Sequence, residues 1–309
     1  MSLDLLAVSI VTPSYNQGGF IAETISSVLS QDYSRIEYLV VDGGSSDGTI
    51  DVLRRYGDQV HWISEPDRGQ ADAINKGWRR ARGEIIAWLN ADDVYRPGAI
   101  GNVVAFFRDH PQVDLVYGDC EYINERGDII GRHRVRALDF ETLLTTATNS
   151  IPQPAAFVRR RVLETVGYLN EKLHYVMDFE YWLRVSAYHE IAYLPVCLAA
   201  FRYHATSKTV QQATRMGDEL VELYQRLFDS RQLPERALRF ERIAMSNAYY
   251  QAAEHHIAAG NMKEARRCVL AGWWHRPLRP QRTLLAAFLR RPGSEGDVLE
   301  SGSGRRCRP

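Results

Sequence analysis

The chain has 309 residues, with 38 Lys and Arg against 38 Asp and Glu, so its formal net charge is zero. Hydrophobic content of 45% and charged content of 25% are ordinary for a globular protein, and the length implies one large domain plus a smaller appendage. The even charge balance gives no global attraction to nucleic acid, and no apolar run approaches the roughly 18 residues of a membrane span.

The first residues carry an early Asp4 and no basic segment, so no signal peptide is expected. Residues 6–12 read as a strand. Residues 20–31 read as a helix with Ile21, Ile25, Val28 and Leu29 on one face. Strands follow at 37–41, 60–64 and 84–89, separated by helices at 49–56 and 70–82. Alternation at this spacing predicts right-handed strand–helix–strand units in a mainly parallel sheet. A helix then runs from after Pro97 to Asp109, and 113–117 is a strand. Residues 119–135 form a hairpin turning at Asn124 to Gly127. Further expectations are helices at 138–146, 161–166 and 178–187, a strand at 155–158, and extended chain over 191–203. From about Thr209 the pattern is helical, at 218–228, 236–259, 262–274 and 281–290. The Gly-, Ser- and Arg-rich stretch 292–309 is expected to be a disordered tail.

Cys120, Cys197, Cys268 and Cys307 are far apart and form no paired motif. That argues against a zinc site or a disulfide framework and fits a reducing cytoplasm.

The most informative segment is Gly83 to Asp93, where the apolar run Ile85 to Leu89 ends in Asn90, Asp92 and Asp93. Such a run reads as a buried parallel strand. Open α/β sheets bind ligands at the carboxyl ends of their strands, where the acidic cluster lies. Carboxylates there suit Mg²⁺ or Mn²⁺, which share oxygen ligands with substrate phosphates. A solvated turn is the plainer alternative. Two further strands end on the same edge, in Thr12 to Asn16 and in the glycine–serine loop Asp42 to Thr49. A carboxylate at Asp42 is placed to meet a base or ribose. Neither a Walker A loop nor a GxGxxG fingerprint is present.

The segments TPSYN, VDGGSSDGT, DRGQADAINKG and GEIIAWLNADD, in this order, resemble a family 2 glycosyltransferase of the GT-A fold, a Rossmann-like α/β architecture. The resemblance covers roughly residues 1–205. It implies a nucleotide-diphosphate sugar as donor, with Pro13, Tyr15 and Asp42 at the nucleoside and Asp72 and Lys76 near the donor. The family's Asp-x-Asp element corresponds to Asn90–Ala91–Asp92. Asn90 keeps a polar oxygen there, and Asp92 and Asp93 are the implied ligands of Mn²⁺ or Mg²⁺. The segment Ile151 to Phe157 resembles a stretch that approaches donor and acceptor, which makes Gln153 a contact. Phe201 to Ser207 resembles the closing signature, which makes His204 a third metal or diphosphate ligand. The family's acidic pair falls on Met177–Asp178, leaving Asp178 as the base for a single inverting displacement. Glu180 and Arg184 read instead as a surface ion pair.

The implied organisation is a transferase domain over 1–208, an all-helical region over 209–291 resembling one tetratricopeptide hairpin, and the tail. One such repeat cannot bury its own face, so it must pack on the catalytic part or on a partner. From Asn261 onward there are 11 Lys and Arg against 4 Asp and Glu, with Trp273 and Trp274 among them. Peripheral membrane contact and a solvated basic end are both open. The resemblance implies a sugar transferred to a glycan or lipid-linked acceptor in surface polysaccharide or glycolipid synthesis, on the cytoplasmic side. UDP- and dTDP-sugars lead by family frequency. A non-catalytic nucleotide-sugar-binding or scaffold protein is the rival reading, favoured by the departures at Asn90 and Met177. A sugar nucleotidyltransferase would need a Gly-rich basic loop after the first strand, and Thr12 to Asn16 is neither.

Overall fold

The computed structural model describes residues 6–204, 213–230 and 233–277. Nine strands form one sheet: β1 (Val8–Ser14), β2 (Ile36–Asp42), β3 (His61–Ser64), β4 (Ile85–Trp88), β5 (Val94–Tyr95), β6 (Val113–Ile123), β7 (Ile129–His133), β8 (Ala156–Arg159) and β9 (Glu190–Arg202). Their order is β3-β2-β1-β4-β8-β6-β9-β5, with β7 on β6. The first four strands are parallel, as alternation with α1 (Ile21–Leu29), α2 (Thr49–Tyr56) and α3 (Gln70–Arg80) requires. Strand β8 runs antiparallel between β4 and β6, which makes the sheet mixed.

Both faces of the sheet are covered, and successive residues serve opposite cores. Ile10, Val40, Ile85 and Ala87 face α1 and α4 (Ala99–Asp109). Val11, Val41, Ile86 and Trp88 face α3, α5 (Phe140–Thr146) and α7 (Met177–Tyr188). Between α5 and α7 lies the short α6 (Val162–Thr165). Helix α3 approaches β1 closely at Gly77, where a Cβ would stand 2.4 Å from a Val11 methyl.

The sequence pattern and the structure differ in two places that matter for the site. The segment expected as a strand followed by a hairpin is one continuous 11-residue β6 turning into β7, with Gly127 at φ +85° in the turn. The two-residue β5 has no sequence signal, yet it pairs antiparallel with β9 through Val94↔Ala200 and Tyr95↔Ala199.

The C-terminal helices are α8 (Ala213–Asp229), α9 (Glu241–Ala258) and α10 (Met262–His275). Residues expected to start one helix at 236 instead form a 3₁₀ turn, Glu235–Phe240. Leu220, Leu223 and Tyr224 of α8 share a core cluster with Trp78, Phe179 and Trp182 of the α/β part. The junction near Thr209, the helix expected at 281–290 and the tail at 292–309 lie outside the described residues. Among the described residues no helix is long and apolar enough to cross a membrane.

Candidate active site

Strands β1 and β2 end side by side, Ser14 opposite Asp42. Asp42 is fully buried. Its Oδ2 accepts from the Gly44 and Ser45 amides at 3.0 and 2.9 Å and from Ser64 Oγ at 2.7 Å. Ser45 Oγ donates to Oδ1 at 2.5 Å. In this structure the carboxylate therefore organises the glycine–serine loop, and no part of it reaches the surface. Tyr15, by contrast, is 61% exposed beside the buried Pro13. Asn16 adopts φ +53°, and its Oδ1 accepts from the Ser46 amide at 2.9 Å, stitching the two loops together.

Asp72 and Lys76 lie one turn apart on α3. Burial opposes a charge on Asp72, but the side chain and amide of Arg68, then Lys76, hold its carboxyl below the ordinary range. Lys76 Nζ stands 3.6 Å from Asp72, 3.0 Å from Glu65 Oε1 and 2.9 Å from the Pro66 carbonyl. The pair clamps the loop leading into α3.

Asn90 sits in a chain of amides. Gln70 Nε2 donates to Asn90 Oδ1 at 2.7 Å, and Asn90 Nδ2 donates to Gln153 Oε1 at 2.9 Å and to Asp93 Oδ2 at 3.1 Å. Gln153 Nε2 then donates to the Trp88 carbonyl at 2.7 Å. Asn at 90 is therefore chemically specific, because a carboxylate cannot donate. Gln70, which opens α3, was not singled out from sequence. A polar residue in the first turn of a helix carries no signal of its own.

The two carboxylates expected to share a metal part company. Asp92 remains partly accessible, and its Oδ2 lies 2.9 Å from His204 Nε2 across 112 residues of sequence. Asp93 is fully buried: Oδ1 accepts the Arg202 amide at 2.9 Å and Oδ2 accepts from Asn90. Burial, then the charge of Asp92, push its pKa well above the ordinary range. A group so enclosed is a poor first ligand. The β5–β9 pairing creates this arrangement by folding Asp92–Asp93 against Arg202–His204. Arg202 is itself buried. It donates to the Asp92 carbonyl at 2.8 Å and pairs with Glu23 at 2.6 Å. Arg202 lies inside the closing signature Phe201 to Ser207, from which only His204 takes a role on sequence grounds.

No three acidic, His or Cys groups among the described residues form a complete metal cage. One carboxylate and one imidazole converging at 2.9 Å nevertheless suit a divalent cation whose other ligands are phosphate oxygens and water. The donor set fits.

Asp178 lies in the first turn of α7, half-buried. Its Oδ1 accepts the Phe179 amide at 2.8 Å and its Oδ2 accepts Asn149 Nδ2 at 2.7 Å. Burial raises its pKa, the Phe179 and Asn149 bonds offset part of that rise, and the charge of Glu219 adds to it. Met177, standing where the family has an acid, is buried in the core, where an unpaired carboxylate would be costly. Glu180 and Arg184 form the expected pair, but not at the surface. The Glu180 side chain is 3% exposed, and Arg184 grips it with Nε at 2.6 Å and Nη2 at 2.8 Å.

The profile of Glycosyl transferase family 2 matches residues 9–167. An uncharacterized glycosyltransferase of Rickettsia felis is 28% identical over 207 residues, which cover 64% of this chain but 34% of that protein's length. The PGL/p-HBAD biosynthesis glycosyltransferase of Mycobacterium bovis is 28% identical over 230 residues, covering 69% of this chain and 87% of that protein. Among solved structures, the Pyrobaculum calidifontis mannosyltransferase in complex with GDP-Man and Mn²⁺ superposes with a TM-score of 0.60 at 21% identity. That match covers 93% of this chain and 87% of the other, a likeness of fold. The chain belongs to glycosyl transferase family 2, and its fold is of the GT-A kind.

Proposed function

We propose that this glycosyltransferase moves a sugar from a nucleotide-diphosphate donor to an acceptor hydroxyl in one step, with inversion at the anomeric carbon. The observation that carries the reading is the Asp92–His204 pair at 2.9 Å, set at the sheet edge where α/β folds bind their ligands. Asp92 and His204 would hold Mn²⁺ or Mg²⁺ for the donor diphosphate, and Arg202, which donates to the Asp92 carbonyl, would fix Asp92 in place. When bound, the cation would supply positive charge to offset the negative charge developing on the departing diphosphate. Asn90 and Gln153, linked at 2.9 Å, line the approach to the donor, and exposed Tyr15 offers a ring face to its base.

Asp178 takes the proton. The acceptor oxygen forms a bond to the anomeric carbon as the carbon–oxygen bond to the diphosphate breaks. The electron pair leaves with the diphosphate, and the hydroxyl proton passes to an Asp178 carboxyl oxygen. A base whose pKa is lifted toward the working pH suits this task. The Asn90 and Met177 departures are absorbed by the amide chain and the core, which favours an enzyme over a scaffold. UDP- and dTDP-sugars are the first donors to test, and surface polysaccharide or glycolipid assembly at the cytoplasmic membrane face is the setting. One exposed face of α10, Leu270, Trp273 and Trp274 continuing from Lys263 and Arg267, supports peripheral contact with anionic lipid there. A lipid-linked acceptor would suit that contact.

Proton NMR of the sugar first released from UDP-glucose or UDP-N-acetylglucosamine tests the displacement. The β-anomer must appear first from these α-linked donors. First release of the α-anomer would rule out inversion.

A further inference from the structure

Three consecutive backbone N–H groups donate to one carboxylate far away in sequence. His174 N–H reaches Glu219 Oε1 at 2.8 Å, and Tyr175 and Val176 N–H reach Oε2 at 2.6 and 2.9 Å. Those amides stand immediately before α7, whose first turn carries Asp178. A helix start leaves its first N–H groups without intrahelical partners, and Val176 at the N-cap position has no side-chain acceptor to offer. Glu219, on α8, accepts from outside the helix, with charge-assisted bonds, from the N-cap amide and the two amides that lead into it.

The second contact of Asp178 is held from the same side. Asn149, which donates to Asp178, follows α5. The carbonyls of Leu144 and Thr145 at the end of α5 accept from Tyr224 Oη of α8 at 2.8 Å and Asn247 Nδ2 of α9 at 2.6 Å. Phe179 also stacks on Tyr224, with ring centroids 6.3 Å apart. The backbone that aims Asp178 and the loop that anchors its far oxygen are thus both fastened to the C-terminal helices.

We infer that Glu219 is a positioning residue for Asp178, and that α8 is in this way part of the catalytic apparatus. The inference rests on Asp178 being the base. Replacing Glu219 by Gln keeps its shape but turns one acceptor oxygen into an NH₂ group facing N–H donors. The start of α7 then loses its fixed direction while the donor site is left in place. Misplacing a catalytic group by about 1 Å costs on the order of 10²-fold.

The test uses the full chain with Glu219→Gln and Glu219→Asp, each alone and combined with Asp178→Asn. Nucleoside diphosphate release is followed from UDP-glucose, UDP-N-acetylglucosamine, dTDP-rhamnose and GDP-mannose with water as acceptor. Glu219→Gln should lower kcat roughly 10- to 100-fold with nucleotide affinity unchanged. It should cost little more once Asp178 is already Asn, because coupled residues are not additive. Glu219→Asp, which keeps the charge, should recover part of the loss. A normal kcat in Glu219→Gln overturns the inference, and so does an equal loss in both backgrounds. A normal kcat in Asp178→Asn would instead overturn the base assignment. Independently of turnover, amide exchange over residues 174–179 must accelerate in Glu219→Gln, and unchanged exchange would refute the tether.

Discussion

Restoring the acid that the family usually carries at position 90 should damage this protein. Asn90 Nδ2 donates to Asp93 Oδ2 at 3.1 Å and to Gln153 Oε1 at 2.9 Å, while its Oδ1 accepts from Gln70. Asn90→Asp preserves only the last of these. Two ordinary hydrogen bonds contribute about 1 kcal/mol each, and stranding a buried acceptor costs about 1–3 kcal/mol. The new carboxylate also meets buried Asp93 at contact distance. At an effective dielectric of about 20, full ionisation of both would cost roughly 5 kcal/mol, an upper bound because the pair will share a proton. A total of about 2–5 kcal/mol follows. With unfolding entropy of about 2.1 cal/mol/K per residue, the melting temperature should fall by roughly 3–8 °C. The pH dependence has a definite sign. A carboxyl pair whose folded pKa lies above the unfolded value is least stable when ionised, so the deficit is largest at neutral pH and shrinks toward about pH 5. Thermal melts at several pH values provide the assay. A variant that melts like the parent and binds nucleotide with Mn²⁺ more tightly would refute the amide-chain account of Asn90.

Other outcomes follow from the same geometry. Asp178→Asn should lower turnover by about 10²–10⁴-fold with nucleotide affinity retained. Because burial raises Asp178 and the base acts only when ionised, the parent's kcat/KM should rise with pH along a limb above the ordinary carboxylate range; a limb at about 3.9 would contradict the assignment. Gly77→Ala should destabilise by about 1–3 kcal/mol in denaturant titration, because its Cβ would overlap the Val11 methyls at 2.4 and 2.7 Å. Trp273→Ser with Trp274→Ser should abolish sedimentation with phosphatidylglycerol vesicles while leaving nucleotide binding intact. Equal sedimentation of parent and variant would point to a basic end that is simply solvated.

Much of the fold was legible because its signals are local. Strands β1, β2 and β4 are short apolar runs and α1 carries one apolar stripe, so the strand–helix alternation and the parallel character of this half followed from spacing, though the strand order did not. What escaped depends on contacts far apart in sequence. Strand β5 has two residues and no pattern, yet its pairing with β9 brings Asp92 to His204. The different fates of Asp92 and Asp93 depend on which neighbour faces Arg202, and adjacent aspartates look alike in a sequence. Lys76 and Asp42 occupy the expected edge but spend their polar atoms on the loops around them. Glu219 lies 43 residues beyond the amides nearest to it, on a helix that reads as an ordinary amphipathic one.

The most direct test of the account is calorimetric titration of UDP, dTDP and GDP into the parent, Asp92→Ala and His204→Ala, each with and without Mn²⁺. The account predicts that one nucleotide binds the parent only when the metal is present, and that both substitutions remove this binding. Binding that ignores the metal, or that survives loss of either residue, would contradict the Asp92–His204 site.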